Sequence, residues 1–260
     1  VYGLSFREMD QVLEFRFSEW FDHAIFRTMK FGRTIFLALA VTTSGTADEL
    51  SVSEIPYGVE VLTGYRSSYV DRGFRLSQDL IEVQLASELA LTNEWVLVWG
   101  GWYGSVTGDG DFEQASGFLG MRHDAGEWSG GLDARWNSYD HPVFDDGLEV
   151  GPTVDWSPSR DWRVGGKVAY DTGAGGFYGY LEAEWSPVTG ENSYLSILTS
   201  LGIASDFYAS SGLHDATARV GWTYQINQHI AVTPFVGGSV GLDSVVPDTL
   251  FSGVWFAVNF

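Results

Sequence analysis

Apolar and polar residues alternate with period two along almost the whole chain beyond residue 58, and nothing else in the sequence constrains the fold as strongly. Successive side chains of an extended strand point to opposite faces, so this period marks strands with one apolar and one polar side. The clearest stretch sets Trp128, Gly130, Leu132, Ala134 and Trp136 against Ser129, Gly131, Asp133, Arg135 and Asn137. The segments Leu148 to Trp156, Trp162 to Tyr170 and Phe177 to Trp185 repeat it. Extended in both directions, the pattern predicts about twelve strands, over 59–67, 80–91, 95–104, 112–123, 127–138, 147–157, 161–171, 176–186, 193–204, 213–225, 229–240 and 251–260.

The connections between these strands alternate in length. Short ones are 92–94, 124–126, 157–160, 186–190 and 226–228; longer ones, often acidic or glycine-rich, are 68–79, 105–111, 139–146, 172–175, 205–212 and 241–250. An even number of strands with short turns on one rim and long loops on the other is the layout of an outer-membrane barrel, whose two ends are periplasmic. The predicted fold is therefore all-β, an antiparallel transmembrane β-barrel.

Aromatic residues fall at the strand ends. Trp95, Trp128, Trp156, Trp162, Trp185, Tyr194 and Tyr224 lie beside short turns, while Tyr69, Tyr103, Phe112, Tyr139, Tyr170 and Phe177 lie beside long loops. Indole and phenol rings favour the headgroup zone of a bilayer, which predicts two girdles. The rival is a soluble sandwich or lipocalin-like barrel, in which the apolar face turns inward. Trp128, Trp156, Trp162 and Trp185 would then crowd one end of a core.

Composition narrows the function classes. With 34 Asp and Glu against 14 Lys and Arg, a net charge of −20 excludes nucleic-acid binding through a basic surface. The absence of cysteine excludes a disulfide framework and a thiol nucleophile. No stretch reaches the roughly 18 apolar residues of a membrane-spanning helix. Residues 29–47 do read as a signal peptide, with basic Lys30 and Arg33, the apolar run Ile35 to Val41, and a small-residue end. Residues 1–28 then read as an upstream mis-called start, 48–58 as a periplasmic lead-in and 59–260 as the barrel, and the exported residues 48–260 carry the whole net charge. Export and acidity point to a Gram-negative outer membrane.

The carboxyl end places Val254, Phe256, Val258 and Phe260 at alternate positions. It resembles the terminal strand that barrel-assembly machinery recognises, except that Trp255 stands where a glycine is often found. Phe256, Val258 and Phe260 would carry that signal, and the resemblance implies assembly and secretion machinery as partners. Ser67-Ser68-Tyr69-Val70-Asp71-Arg72-Gly73 is similar to the Ser-x-Tyr-Val-x-Arg-Gly segment of a family of small bacterial outer-membrane proteins of unknown function. Members commonly carry an aromatic where Asp71 stands. This second resemblance implies location rather than activity.

With lipid outside, the polar face lines the lumen, along Arg66, Glu82, Asp133, Arg135, Glu149, Asp155, Arg163, Lys167, Glu182, Glu184 and Arg219. Pairing Trp156 with Trp162 sets Asp155 opposite Arg163. Pairing Tyr170 with Phe177 sets Arg163 opposite Glu184 and Lys167 diagonal to Glu182, and pairing Trp136 with Leu148 sets Arg135 against Glu149. A one-residue slip would turn these charges to lipid, at roughly 2–4 kcal/mol for each Arg or Lys near the midplane. Fixed charges among small residues such as Gly131, Gly151, Gly165 and Ala169 predict passage or binding of small polar solutes. The alternative is a structural barrel whose ion pairs close the lumen. Acidic rim residues, among them Asp109, Asp111, Asp140, Asp145, Asp146, Asp206, Asp215, Asp243 and Asp248, could also attract cations. A third reading is a rim-active lipid-modifying enzyme or protease using His141 or His214, with Ser210 and Ser211 near the latter. No sequence motif assigns a catalytic residue, a metal site or a cofactor.

Overall fold

The computed structural model describes residues 57–107 and 112–260. The predicted upstream segment, the signal peptide, most of the lead-in, and Asp109 and Asp111 lie outside the described residues. Thirteen strands are present among them: β1 (Tyr57–Asp71), β2 (Phe74–Ala90), β3 (Trp95–Val106), β4 (Glu113–Ala125), β5 (Trp128–Asp140), β6 (Gly147–Ser159), β7 (Trp162–Asp171), β8 (Gly176–Trp185), β9 (Val188–Gly190), β10 (Ser193–Phe207), β11 (Ser210–Gln225), β12 (Ile230–Gly241) and β13 (Thr249–Asn259). Twelve form the wall; β9 is a three-residue stub against the start of β10. Each wall strand pairs antiparallel with the next wall strand, β8 with β10 past the stub, and β1 pairs with β13 from Glu60↔Asn259 to Arg66↔Gly253. The sheet thus closes on itself and leaves no unpaired edge.

The sidedness is that of a membrane barrel. Trp128, Leu132 and Leu181 are 53%, 58% and 61% exposed on the outer face, whereas Glu82 and Asn137 are 1% and 0% exposed within. A soluble barrel would show the reverse, because apolar surface is driven out of water and charge into it. Trp95, Trp128, Trp156, Trp162, Trp185, Tyr170 and Phe177 all lie on the outer face. Trp128 stacks on Trp156 at 5.7 Å, Trp162 on Trp185 at 6.3 Å, and Tyr170 meets Phe177 at 5.0 Å. Tyr224 and Tyr103 also lie on the outer face, and four predicted girdle residues are corrected: Tyr69, Phe112 and Tyr139 are buried inside the mouth, and Tyr194 lines an interior cavity.

Two predicted long loops do not exist. β1 and β2 run on to a two-residue turn at Arg72-Gly73, with φ of 49° and 80°, and β10 and β11 meet at Tyr208-Ala209, with φ of 45° and 65°. Positive φ at both central residues is the turn that matches strand twist in a tight hairpin. Gly73 suits it without steric cost. Tyr208 does not, and it is held by aromatic contacts with Phe74, Phe144 and Phe207.

The first hairpin is also bent. Arg66 and Tyr69 are both buried although they are three positions apart, so the alternation breaks at Ser67-Ser68. Across the ladder Asp79 has φ of 54°, and the register shifts again between Tyr69 and Val70. An irregular strand bends and twists at the site of the irregularity. Beyond it the tip of the hairpin leans into the barrel.

Candidate functional site: the lumen and its mouth

All eleven residues predicted to line the lumen lie on the inner face, and the ladder decides which of them meet. Arg135 stands opposite Glu149 and Arg163 opposite Glu184, as the turns require. The β6–β7 hairpin departs from expectation. Because Ser159 pairs with Trp162 across a two-residue turn, with a shift after Trp156, Asp155 faces Gly165 and Trp156 faces Val164. The Arg163 guanidinium still reaches Asp155 diagonally, and it also binds Glu182. Lys167 bonds Glu149 and lies 3.5 Å from Asp133; it is not the partner of Glu182 that the diagonal predicted.

A second group sits between β1, β2, β3 and β13. Glu82 accepts from Arg66 Nε at 2.7 Å and Nη2 at 3.0 Å, from Trp102 Nε1 at 2.8 Å and from Trp255 Nε1 at 2.7 Å. Four donors occupy both carboxylate oxygens. Such saturation lets a charge stay in the interior, where an uncompensated one costs about 3–5 kcal/mol. Arg122 is held likewise by Glu88 at 2.8 Å and Asp124 at 3.0 Å. The Glu184 carboxylate takes hydroxyls from Ser186 at 2.7 Å and Ser196 at 2.5 Å.

The mouth on the long-loop side is closed by the tip of the first hairpin. Arg72 bonds Glu149 on β6 and, at 2.8 Å, Asp171 on β7, the strand half-way round the wall from β1. Its guanidinium lies 5.9 Å above Tyr178 and 5.3 Å above Phe207. A methyl group on Gly73 would come within 2.7 Å of Asp215 Cβ and 2.8 Å of Val246, so the backbone there touches β11 and the β12–β13 loop. Phe74 packs on Phe144, Tyr208 and His214 at 5.1–6.2 Å. The tip spans the opening, and Tyr69 and Trp102, stacked at 5.3 Å, fill the space beneath.

Sequence reasoning missed Arg72, Asp71, Asp171, Trp102, Trp255 and the Arg122–Glu88 pair. A signal existed for two of them. Arg122 follows outward Met121 and Leu119 at the inward step, and Trp255 lies between outward Val254 and Phe256 on the polar face of its strand.

The rim histidines do not assemble a nucleophile. Ser210 Oγ lies 2.8 Å from His214 Nδ1 and donates to Asp243 at 2.5 Å. With its one proton committed to the carboxylate, Ser210 accepts from His214, so the imidazole acts as donor and not as base. The same hydroxyl holds the Asp243 carboxyl below its usual range. His141 accepts from the Val143 amide at 3.3 Å in an open loop pocket between Tyr139 and Asp146, where partial burial lowers its pKa.

No family model matches the sequence, and no curated protein matches it. Solved structures do resemble the fold. The KdgM porin aligns at a TM-score of 0.52 and 10% identity, over 78% of this chain and 99% of the porin. The translocator domain of the autotransporter NalP from Neisseria meningitidis aligns at 0.52 and 14%, over 81% of this chain and 91% of that domain. An outer membrane channel from Pseudomonas putida F1 aligns at 0.50 and 11%, over 83% of this chain and the full length of the channel. At these identities the likeness is one of fold: the chain is a closed, antiparallel barrel of the outer-membrane type.

Proposed function

We propose that the protein sits in a Gram-negative outer membrane and lets small polar solutes pass through its charged lumen, with the β1–β2 hairpin as a gate across the long-loop mouth. The observation that carries this reading is the contrast between wall and closure. The wall is a continuous ladder, whereas the mouth is held shut by one turn whose contacts are ion pairs, ring edges and van der Waals packing. A hairpin tip of this kind can swing without breaking the ladder. Two of the structures it resembles in fold are named as a porin and a channel.

The same reading places the short turns and both termini in the periplasm, assigns residues 29–47 to export, and takes Phe256, Val258 and Phe260 as the assembly signal. Lipid is then the permanent partner of the outer face. A second reading is favoured by the occluded mouth itself: a structural barrel that never opens. Swelling of proteoliposomes in uncharged solutes of graded size separates the two. Passage predicts swelling that slows as the solute grows; no swelling with any solute, in wild type or with the hairpin tip truncated, would leave the structural barrel.

A further inference from the structure

Among the inward arginines of the wall, Arg66, Arg122 and Arg163 each bind a carboxylate, and Arg72 does so at the mouth. Arg219 differs. Its guanidinium lies 4.7 Å over the Trp255 ring, and among the described residues no carboxylate comes within 4 Å of it and no group accepts a hydrogen bond from it. Glu82, which Trp255 itself binds, cannot serve, because four other donors already fill its oxygens. Stacking on an indole uses the flat face of a guanidinium and leaves its N–H edge free.

Arg219 lines a cavity of about 50 Å³ on the short-turn side of the lumen. Thr223 and Thr233, whose hydroxyls meet at 2.8 Å, also line it, and the lining extends to Gln225 at the end of β11. Its one carboxylate, Glu60, belongs to the start of β1. The volume suits roughly three waters or one small acid group. A cation that is held in place by an aromatic face, lacks an anionic partner and fronts a largely apolar cavity with a few hydroxyls is pre-organised for an anion.

We propose that Arg219, backed by Trp255, is an anion-binding subsite for the carboxylate of a small solute, gripped through both edge N–H groups. As the identity of the solute that passes, this rests on the passage reading; the binding step is separable from it. The probe is ¹³C-acetate, titrated into the full chain in detergent micelles and followed by its NMR line width, with acetamide as the neutral isostere. Wild type should broaden acetate saturably and leave acetamide unchanged. Arg219→Gln should weaken acetate binding about tenfold or more, as loss of a charge-assisted hydrogen bond does. Arg219→Lys keeps the charge but not the planar fork, and should weaken binding about threefold or more.

Absence of acetate binding to wild type overturns the proposal, as does equal binding by a folded Arg219→Gln. Should Arg219→Gln fail to fold, unchanged affinity in Arg219→Lys overturns it instead. Acetate binding without solute swelling would sink the passage reading alone, and swelling without acetate binding would sink the subsite alone.

Discussion

Two side chains hold most of what distinguishes this interior, and they act in opposite senses. Glu82 is fixed by four donors at the base of the β1–β2–β3 wall, so removing its charge takes from buried Arg66 the carboxylate that binds both its Nε and its Nη2. Glu82→Gln should therefore destabilise the barrel by about 3–5 kcal/mol, read as a lower urea midpoint for unfolding from lipid vesicles; an unchanged midpoint would contradict the geometry. Arg72 binds acids that lie 77 and 99 residues along the chain, on the far wall. Arg72→Gln should leave the wall intact and release the tip, raising solute influx several-fold. A variant that unfolds at the same urea concentration as wild type and admits no more solute would remove Arg72 from the closure. No sequence pattern could have announced this residue's role, because its partners are set by how far the first hairpin leans and not by anything near it in the chain.

At the scale of the element, the hairpin tip is where regular alternation fails. Period two assigns faces only while the ladder is regular, and between Arg66 and Tyr69 it is not. That is why Tyr69 was expected on the lipid side and lies inside. The twelve wall strands were legible for the opposite reason: each keeps strict alternation across the span, as in Leu148, Val150, Pro152, Val154 and Trp156 on the outside of β6. Both turns were read as loops, although Arg72-Gly73 carried a visible glycine and Tyr208-Ala209 carried none. Gly73 offers a second handle on the tip that leaves every charge in place. A β-carbon there meets Asp215 and Val246 at under 3 Å and must also adopt φ of 80°. Gly73→Ala should loosen the tip and raise influx in the same direction as Arg72→Gln, with little change in the urea midpoint. Influx at the wild-type level would mean that the tip tolerates displacement without opening.

For the whole molecule, the fold follows from sidedness, and lipids can report it directly. Trp95, Trp99, Trp128, Trp136, Trp156, Trp162, Trp185 and Trp222 stand on the outer face, whereas Trp102 and Trp255 are buried within. Brominated lipid chains should quench most of the tryptophan emission, and changing the outer eight to Phe should abolish most of that quenching. Quenching that survives those eight changes would put the apolar face on the wrong side. Register was legible where a strand pair runs regularly into its turn, as for Arg135 with Glu149, and was misplaced at β6–β7, where a shift moves Asp155 from Arg163 to Gly165. The gated lumen is tested most directly by locking it. The chain has no cysteine, so Gly73→Cys with Asp215→Cys creates a single possible disulfide between tip and wall, at a site where the two Cβ positions already touch. In planar bilayers the oxidised double variant should stay silent, and a reductant should restore current steps like those of wild type. Equal conductance in the oxidised and reduced states, with the cross-link verified, would show that solutes do not pass beneath this hairpin.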